Sequence, residues 1–246
     1  MKEVANQKLI NEEGLRIDGR KLDELRPIKM EVGTLKNADG SAYVEHGRNK
    51  ILVAVYGPRE AHPKHFSNPN RAVLRCRYHM APFSTNERKS PAPSRRELEI
   101  SKIIRDSLEP VIFSEYYPRS MIDIFIEVLQ SDGGSRCAAV TTASLALADA
   151  GIPMKDLVVG CAIGKADGKI ILDLDDYEDK DGDVDMPLAY IPSTGKVSLL
   201  QMDGLLTDEE FTESIHSVIK ACTKIYEIQK QTLKQRYQIN KENPNG

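Results

Sequence analysis

The sequence predicts a fold of mixed strand and helix, laid out as two successive runs of strands that each lead into helix. Three observations point to it. Apolar residues alternate with period two in short stretches, as at Ile122, Ile124, Ile126 and Val128. Helical periodicity opens on capping signals at Ser94 with Glu97 and at Thr207 with Glu210. The 246 residues are 40% hydrophobic and 29% charged, which suits one large domain or two intimately packed halves around a sizeable core.

Strands are expected over 27–35, 41–46 and 49–56, with a hairpin turn at Asn37-Ala38-Asp39-Gly40. Residues 58–71 form a loop rich in Pro, Asn and His. A strand over 72–79 puts Val73, Arg75, Arg77 and His79 on one face and Leu74, Cys76 and Tyr78 on the other. The arginine-lined face must meet solvent, carboxylates or phosphate. After a polar loop at 82–93, Leu98, Ile103, Ile104, Leu108 and Val111 carry a helix to residue 113, with Pro110 disturbing its end. A strand over 121–130 leads through a glycine-rich turn at 131–136 into a helix of small residues, 137–150, ended by Gly151 and Pro153. Four more strands fit 157–164, 169–174, 187–192 and 196–202, the first two joined by an Asp167-Gly168 turn. The last helix carries an apolar stripe of Phe211, Ile215, Val218, Cys222 and Ile225, and the polar tail after Tyr237 should fray. The halves divide as 14–152 and 153–238, followed by a tail of 239–246; their strand-then-helix order repeats without a matching residue pattern.

No stretch of about 18 uncharged apolar residues occurs, so no membrane span is expected. Met1 to Glu13 is polar and mixed in charge, unlike a signal peptide. Cys76, Cys137, Cys161 and Cys222 make no CxxC pair and read as reduced core thiols. A cytoplasmic protein is the expectation. The net charge of −3 says less than its distribution. Residues 59–105 hold 11 Lys/Arg against 4 Asp/Glu, whereas 167–185 hold 9 Asp/Glu against 2 Lys. The first segment offers phosphate contacts, the second a metal site or a proton donor; on charge alone, both also read as ordinary solvated loops.

Asp132-Gly133-Gly134-Ser135-Arg136 lies between a strand and a helix. A helix start exposes unpaired N–H groups and the positive end of the dipole, glycines admit an anion to the backbone, and Ser135 and Arg136 add a hydroxyl and a fork of donors. This makes a phosphate site or a plain turn with a surface arginine; neither a P-loop nor a GxGxxG turn is present. Arg95 and Arg96 stand in the first turn of their helix, where the dipole disfavours cations, so an anion lies nearby or the pair is exposed and screened. In the acidic segment, an EF-hand register around Gly182 would begin at Tyr177 and end at Leu188, which excludes it. His62-Pro63-Lys64-His65 lacks the partners of a zinc site and suits an RNA phosphate better. There is no GxSxG nucleophile motif.

Arg16-Ile17-Asp18-Gly19-Arg20, Asn37 to Ala42, Val55 to Arg59, Ser94 to Ile100, Gln130 to Arg136 and Asp185-Met186-Pro187, in this order and spacing over 14–230, resemble the ribonuclease PH superfamily. Ala81-Pro82-Phe83-Ser84 and Pro91 to Arg96 look more like the catalytic subunit of the archaeal exosome than like bacterial ribonuclease PH. The resemblance implies an α+β, RNase PH-like fold (ribosomal protein S5 domain 2-like), with two similar halves of mixed sheet and packed helices. It implies a 3′→5′ exoribonuclease that uses inorganic phosphate as co-substrate, releases nucleoside diphosphates, and in reverse adds RNA tails.

By position, the resemblance makes Arg96, Gly134, Ser135 and Arg136 phosphate-binding and Arg95 an RNA contact. Asp179 becomes the proton donor and Asp185 the metal or orienting carboxylate, with Mg²⁺ as the implied ion. Lys64 and His65 are read as lining the RNA path. The implied partners are RNA, a non-catalytic RNase PH-like sister subunit in a ring of three heterodimers, and cap proteins with S1-type domains. Two alternatives are a non-catalytic RNA-guiding ring subunit, which would lose the arginine–aspartate set, and a homohexameric tRNA-trimming ribonuclease PH.

Overall fold

The alternating stretch Ile122 to Val128 becomes the buried face of β5 (Ser120–Gln130), around which the first sheet is assembled. The computed structural model describes residues 8–242; the expectations for residues 1–7 and 243–246 lie outside them. β1 (Ile28–Val32), β2 (Gly40–His46) and β3 (Asn49–Glu60) pair antiparallel in succession, and β3 pairs β5. β4 (Val73–Met80) lies parallel to β5 at the sheet edge, a pairing that requires the crossover provided by α1 (Arg95–Leu108). In the second half, β6 (Val159–Ala166) pairs β7 (Lys169–Leu172) and β8 (Val184–Ile191). β9 (Lys196–Leu200) and the two-residue β10 (Asp203–Gly204) both pair β8, and every pair in this sheet is antiparallel.

α2 (Ser135–Asp149) is buried on all sides from Cys137 to Leu147 because it touches strands of both sheets. That position explains its small residues. A Cβ at Gly160 of β6 would overlap the Cys137 backbone, so glycine sets the close approach of helix and sheet. α4 (Asp208–Glu242) packs its apolar stripe on β6 and reaches β1. One core therefore runs across residues 152 and 153, uniting Ile124, Val140, Cys161, Leu188 and Val218. Among the described residues the four cysteines are free thiols, and no helix is long and apolar enough to cross a membrane.

Several boundaries differ from expectation. β1 stops at Val32 because Gly33 takes φ +68°, and β7 stops at Leu172 because Asp173 takes φ +57°. α1 ends at Leu108, and Pro110 sits in a separate 3₁₀ turn. β3 continues to Glu60, and α4 continues to Glu242 past Tyr237. β6 begins two residues late, at Val159, and β9 ends at Leu200. Two corrections matter for the site. The acidic segment contains a short helix, α3 (Asp176–Asp181), that the charge run conceals. β8 begins at Val184 rather than 187, so Asp185 stands on a strand and not in a loop. The arginine-lined face of β4 meets carboxylates and solvent: Arg75 pairs Asp123 at 2.6 Å, and His79 lies 3.2 Å from Glu97.

Three arginines from the N-terminal segment fasten the acidic segment. Arg16 is buried; it pairs Glu178 of α3 and donates to the carbonyls of Leu172 (2.5 Å) and Asp173 (2.9 Å). Arg20 donates to the Asp173 carbonyl at 3.1 Å. Arg26 grips the Asp173 carboxylate with Nη2 at 2.7 Å and Nε at 3.1 Å, and donates to the carbonyls of Asp132 and Gly133. His46 Nε2 lies 3.0 Å from the same carboxylate. Burial alone would raise the Asp173 pKa, but His46 and Arg26 outweigh it and hold the carboxyl well below the usual carboxylate range.

Asn tolerates the left-handed backbone of residue 173, so Asp173→Asn removes the charge with little conformational cost. It should cost about 3–5 kcal/mol at pH 7, because the buried Arg26 guanidinium loses its counter-ion in the interior. A depressed pKa contributes stability above the unfolded value, so the deficit should persist down to about pH 4 and shrink only below it. Denaturant titrations at pH 7 and pH 3 measure both quantities.

Candidate active site

Four elements bring their ends to one place. The turn before α2, the start of α1, α3 and the start of β8 surround a cleft of about 1100 Å³. Arg96, Ser135, Arg136, Asp179 and Asp185 all line it. The sequence scatters these five across 90 positions, and the fold unites them.

One wall is built for an anion. Gly133 and Gly134 both take positive φ, and α2 starts on Gly134 without a side-chain cap, leaving the Ser135 and Arg136 N–H groups to whatever enters the cleft. A Cβ at Gly133 would overlap the Asp175 backbone, so this glycine lets the turn lie directly against the acidic segment. Asn49 fixes the turn by donating to the Gly133 carbonyl (2.6 Å) and accepting from the Asp132 N–H (2.8 Å). Arg136 is held by the Gln201 amide oxygen at 2.5 Å, and Ser135 Oγ lies 3.0 Å from the Tyr78 hydroxyl. Arg96 projects from the first turn of α1. The buried Glu97 beside it completes the Ser94 capping box and accepts from the Met80 N–H at 2.8 Å, which pins the start of α1 to β4.

The opposite wall is acidic. Asp175 caps α3, its side chain accepting from the N–H groups of Tyr177 and Glu178. Glu178 turns inward to Arg16, while Asp179 turns to the cleft. Asp185 is the second residue of β8, in register with Gly164 on one side and Asp203 on the other. Its carboxyl is pushed up to about 6, first by burial and then by the charge of Asp179, with Arg136 opposing. Burial also raises Asp132. Among the described residues no group of three His, Cys, Asp or Glu is arranged to hold a metal ion.

Other expected residues stand apart. Arg95 is exposed next to Arg96 but does not line the cleft. Gly134 supplies backbone conformation rather than cleft surface. Lys64 and His65 occupy a short 3₁₀ turn outside the cleft; Lys64 is 83% exposed and 3.2 Å from Glu60, and the His65 ring lies 4.3 Å from that of Phe66. Sequence reasoning missed Arg48, Phe83, Lys89 and Tyr78 in the lining. Arg48 carried a signal, the Gly47-Arg48 turn between two strands; Tyr78 carried none, since it alternates with core residues.

Because its folded pKa is raised, Asp185 costs stability once ionised. Asp185→Asn should therefore stabilise the protein at pH 8 by up to about 2 kcal/mol, the upper bound of about 3 kcal/mol being reduced by partial exposure. The gain should fade as pH drops below 6 and vanish near the ordinary carboxylate value, 3.8. Melting curves of both proteins across this range provide the check.

Comparison with known proteins fits this geometry. Residues 24–153 match the 3′ exoribonuclease family, domain 1, and residues 156–216 match its domain 2. The chain is 62% identical over 230 residues to the exosome complex component Rrp41 of Thermococcus onnurineus, covering 94% of this chain and 92% of the relative. It is 54% identical over 237 residues to Rrp41 of Nitrosopumilus maritimus, covering 96% and 97%. Among solved structures, rice Rrp46 superposes with a TM-score of 0.80 at 25% identity, over 89% of this chain and all of that one. A chain of the Archaeoglobus fulgidus exosome with RNA bound to the active site superposes at 0.76 and 22% identity, over 87% and 92%, a likeness of fold. With both domains matched in order and relatives similar over nearly their whole length, the chain belongs to the 3′ exoribonuclease family of ribonuclease PH type.

Proposed function

We propose that this 3′→5′ exoribonuclease acts by phosphorolysis, as the catalytic subunit of an archaeal-type exosome. The observation that carries the reading is the pairing, across one cleft, of an arginine-flanked helix start with two carboxylates. An oxygen of inorganic phosphate attacks the terminal phosphodiester phosphorus, the bond to the 3′-oxygen breaks, and a nucleoside diphosphate leaves. Nucleophile and target are both anions, and Arg96, Arg136, Ser135 and the start of α2 neutralise their repulsion. The departing 3′-oxygen takes a proton from the carboxylate pair. Asp185, its carboxyl pushed up to about 6, holds a proton more readily than an ordinary carboxylate, so the pair, not Asp179 alone, is the source. Two adjacent carboxylates also suit Mg²⁺, which binds through one or two carboxylates and fills its shell with water and substrate phosphates. Asp179 and Asp185 would hold it, and it would supply positive charge at the leaving oxygen.

Support for the assembly comes from the relatives, named as exosome complex components and similar over more than nine-tenths of this chain. On this reading the chain works in the cytoplasm, in a ring of three heterodimers with a non-catalytic RNase PH-like subunit, beneath S1-domain cap proteins. Arg95, Lys64 and His65 then contact RNA outside the chemical centre.

RNA should shorten from its 3′ end only with phosphate present, giving diphosphates, and should lengthen when diphosphates are supplied. Monophosphate release without phosphate would sink the proposal. Arg136→Ala should lower the rate about 10²–10³-fold, with partial recovery at high phosphate. Asp179→Asn should be equally slow and not recover, while still binding RNA, since removing a negative charge does not weaken attraction to a polyanion. Rate against phosphate concentration, beside an RNA-binding titration, separates the two.

Lys64→Ala tests the outer path. Affinity for long RNA should fall, with a shallower salt dependence, while turnover of the shortest substrates stays near normal. Loss of turnover at every length would place the 58–71 loop in the site itself.

A further inference from the structure

Tyr78 lies on the face of β4 that packs into the core and is 2% exposed, yet the tip of its ring reaches the cleft. Its backbone N–H donates to Ser101 Oγ at 2.8 Å, and Ser101 Oγ in turn donates to the Glu97 carbonyl at 2.6 Å, so this strand residue is fastened to the helix that carries Arg96. Its hydroxyl lies 3.0 Å from Ser135 Oγ, the first residue of α2. Tyr78 thus spans the two helix starts that form the anion wall.

The direction of that hydrogen bond follows from chemistry. A phenol is a far stronger acid than an aliphatic alcohol and is the better donor. Burial pushes the Tyr78 pKa up, so the phenol keeps its proton. Ser135 Oγ then accepts from Tyr78 and must direct its own hydrogen elsewhere. A serine within a helix commonly donates to the carbonyl four residues back. Ser135 is the first helical residue, and among the described residues no carbonyl accepts from it. The remaining direction is the cleft, where Arg96 and Arg136 converge.

We propose that Tyr78 is a positioning residue of the phosphate site, whose phenol turns the Ser135 hydroxyl hydrogen toward an anion at the start of α2. The inference rests on the phosphorolytic reading. It makes Ser135 a fixed donor rather than a free rotor, so no reorientation is needed when phosphate binds.

The test uses the full chain, assembled with its RNase PH-like partner, as wild type, Tyr78→Phe, Ser135→Ala and the double variant. At saturating RNA, Tyr78→Phe should raise KM for phosphate about 3- to 10-fold, the effect of one preorganised hydrogen bond. RNA affinity and melting temperature should stay near wild type. On the Ser135→Ala background the same change should add less than about twofold, because the group it orients is gone. An unchanged phosphate KM in Tyr78→Phe overturns the proposal. So does an undiminished effect on the Ser135→Ala background, or a fall in kcat and melting temperature with phosphate KM unchanged. A wild type that needs no phosphate removes the phosphorolytic reading and this inference together, whereas a phosphate-dependent wild type with an indifferent Tyr78→Phe removes the inference alone.

Discussion

The Arg26 guanidinium binds the Asp173 carboxylate of the second half and the Asp132 and Gly133 carbonyls of the first. Asp173 stands at the exit of β7, three residues before α3; Gly133 stands two residues before α2. One planar group therefore fixes the distance between the acidic and the cationic wall. A buried ion pair adds little net stability over a well-packed apolar substitute. What an apolar contact lacks is direction: every side-chain nitrogen of Arg26 is aimed at a particular atom, and the sum of those bonds sets how the two halves meet. Arg16 and Arg20 act the same way on neighbouring atoms of the acidic segment. The N-terminal arginines thus hold the walls of the cleft in place without lining it.

Much of the architecture is legible in the sequence because burial imposes a period. Ile122 to Val128 and the small-residue helix from Cys137 can be read from one face or all faces being apolar. Capping chemistry locates the start of α1 and of α4 to within a residue. What escapes is structure whose cause is distant in the chain. α3 is a single short helix held by Arg16 through Glu178, more than 160 positions away, and its own sequence looks like a solvated acidic run. The same holds for Asp185, whose strand starts early because β6 and β10 flank it. The glycine turn before α2 is legible as a local motif; that the aspartates face it comes from long-range packing, and the family resemblance implies that pairing.

The cleft concentrates unfavourable electrostatics of both signs. Arg96 sits at the positive end of α1, against its dipole, and the charge of Asp179 adds to burial in raising the cost of ionising Asp185. Neither arrangement stabilises the folded chain. Each becomes favourable when a ligand of complementary charge enters, which is how a site stores affinity in its unliganded state. Groups that carry the fold, such as Asp173, have their charge matched internally instead.

α3 makes a final consequence visible. Glu178 and Asp179 are consecutive, yet one is locked inside against Arg16 and the other faces the cleft. Successive residues on a helix differ by about 100°. Inserting or deleting one residue between Asp175 and Glu178 would swing the inward carboxylate out and turn another residue toward the interior. The spacing of this segment is therefore held by angle as well as by composition, and drift by substitution is open to it where drift by length is not.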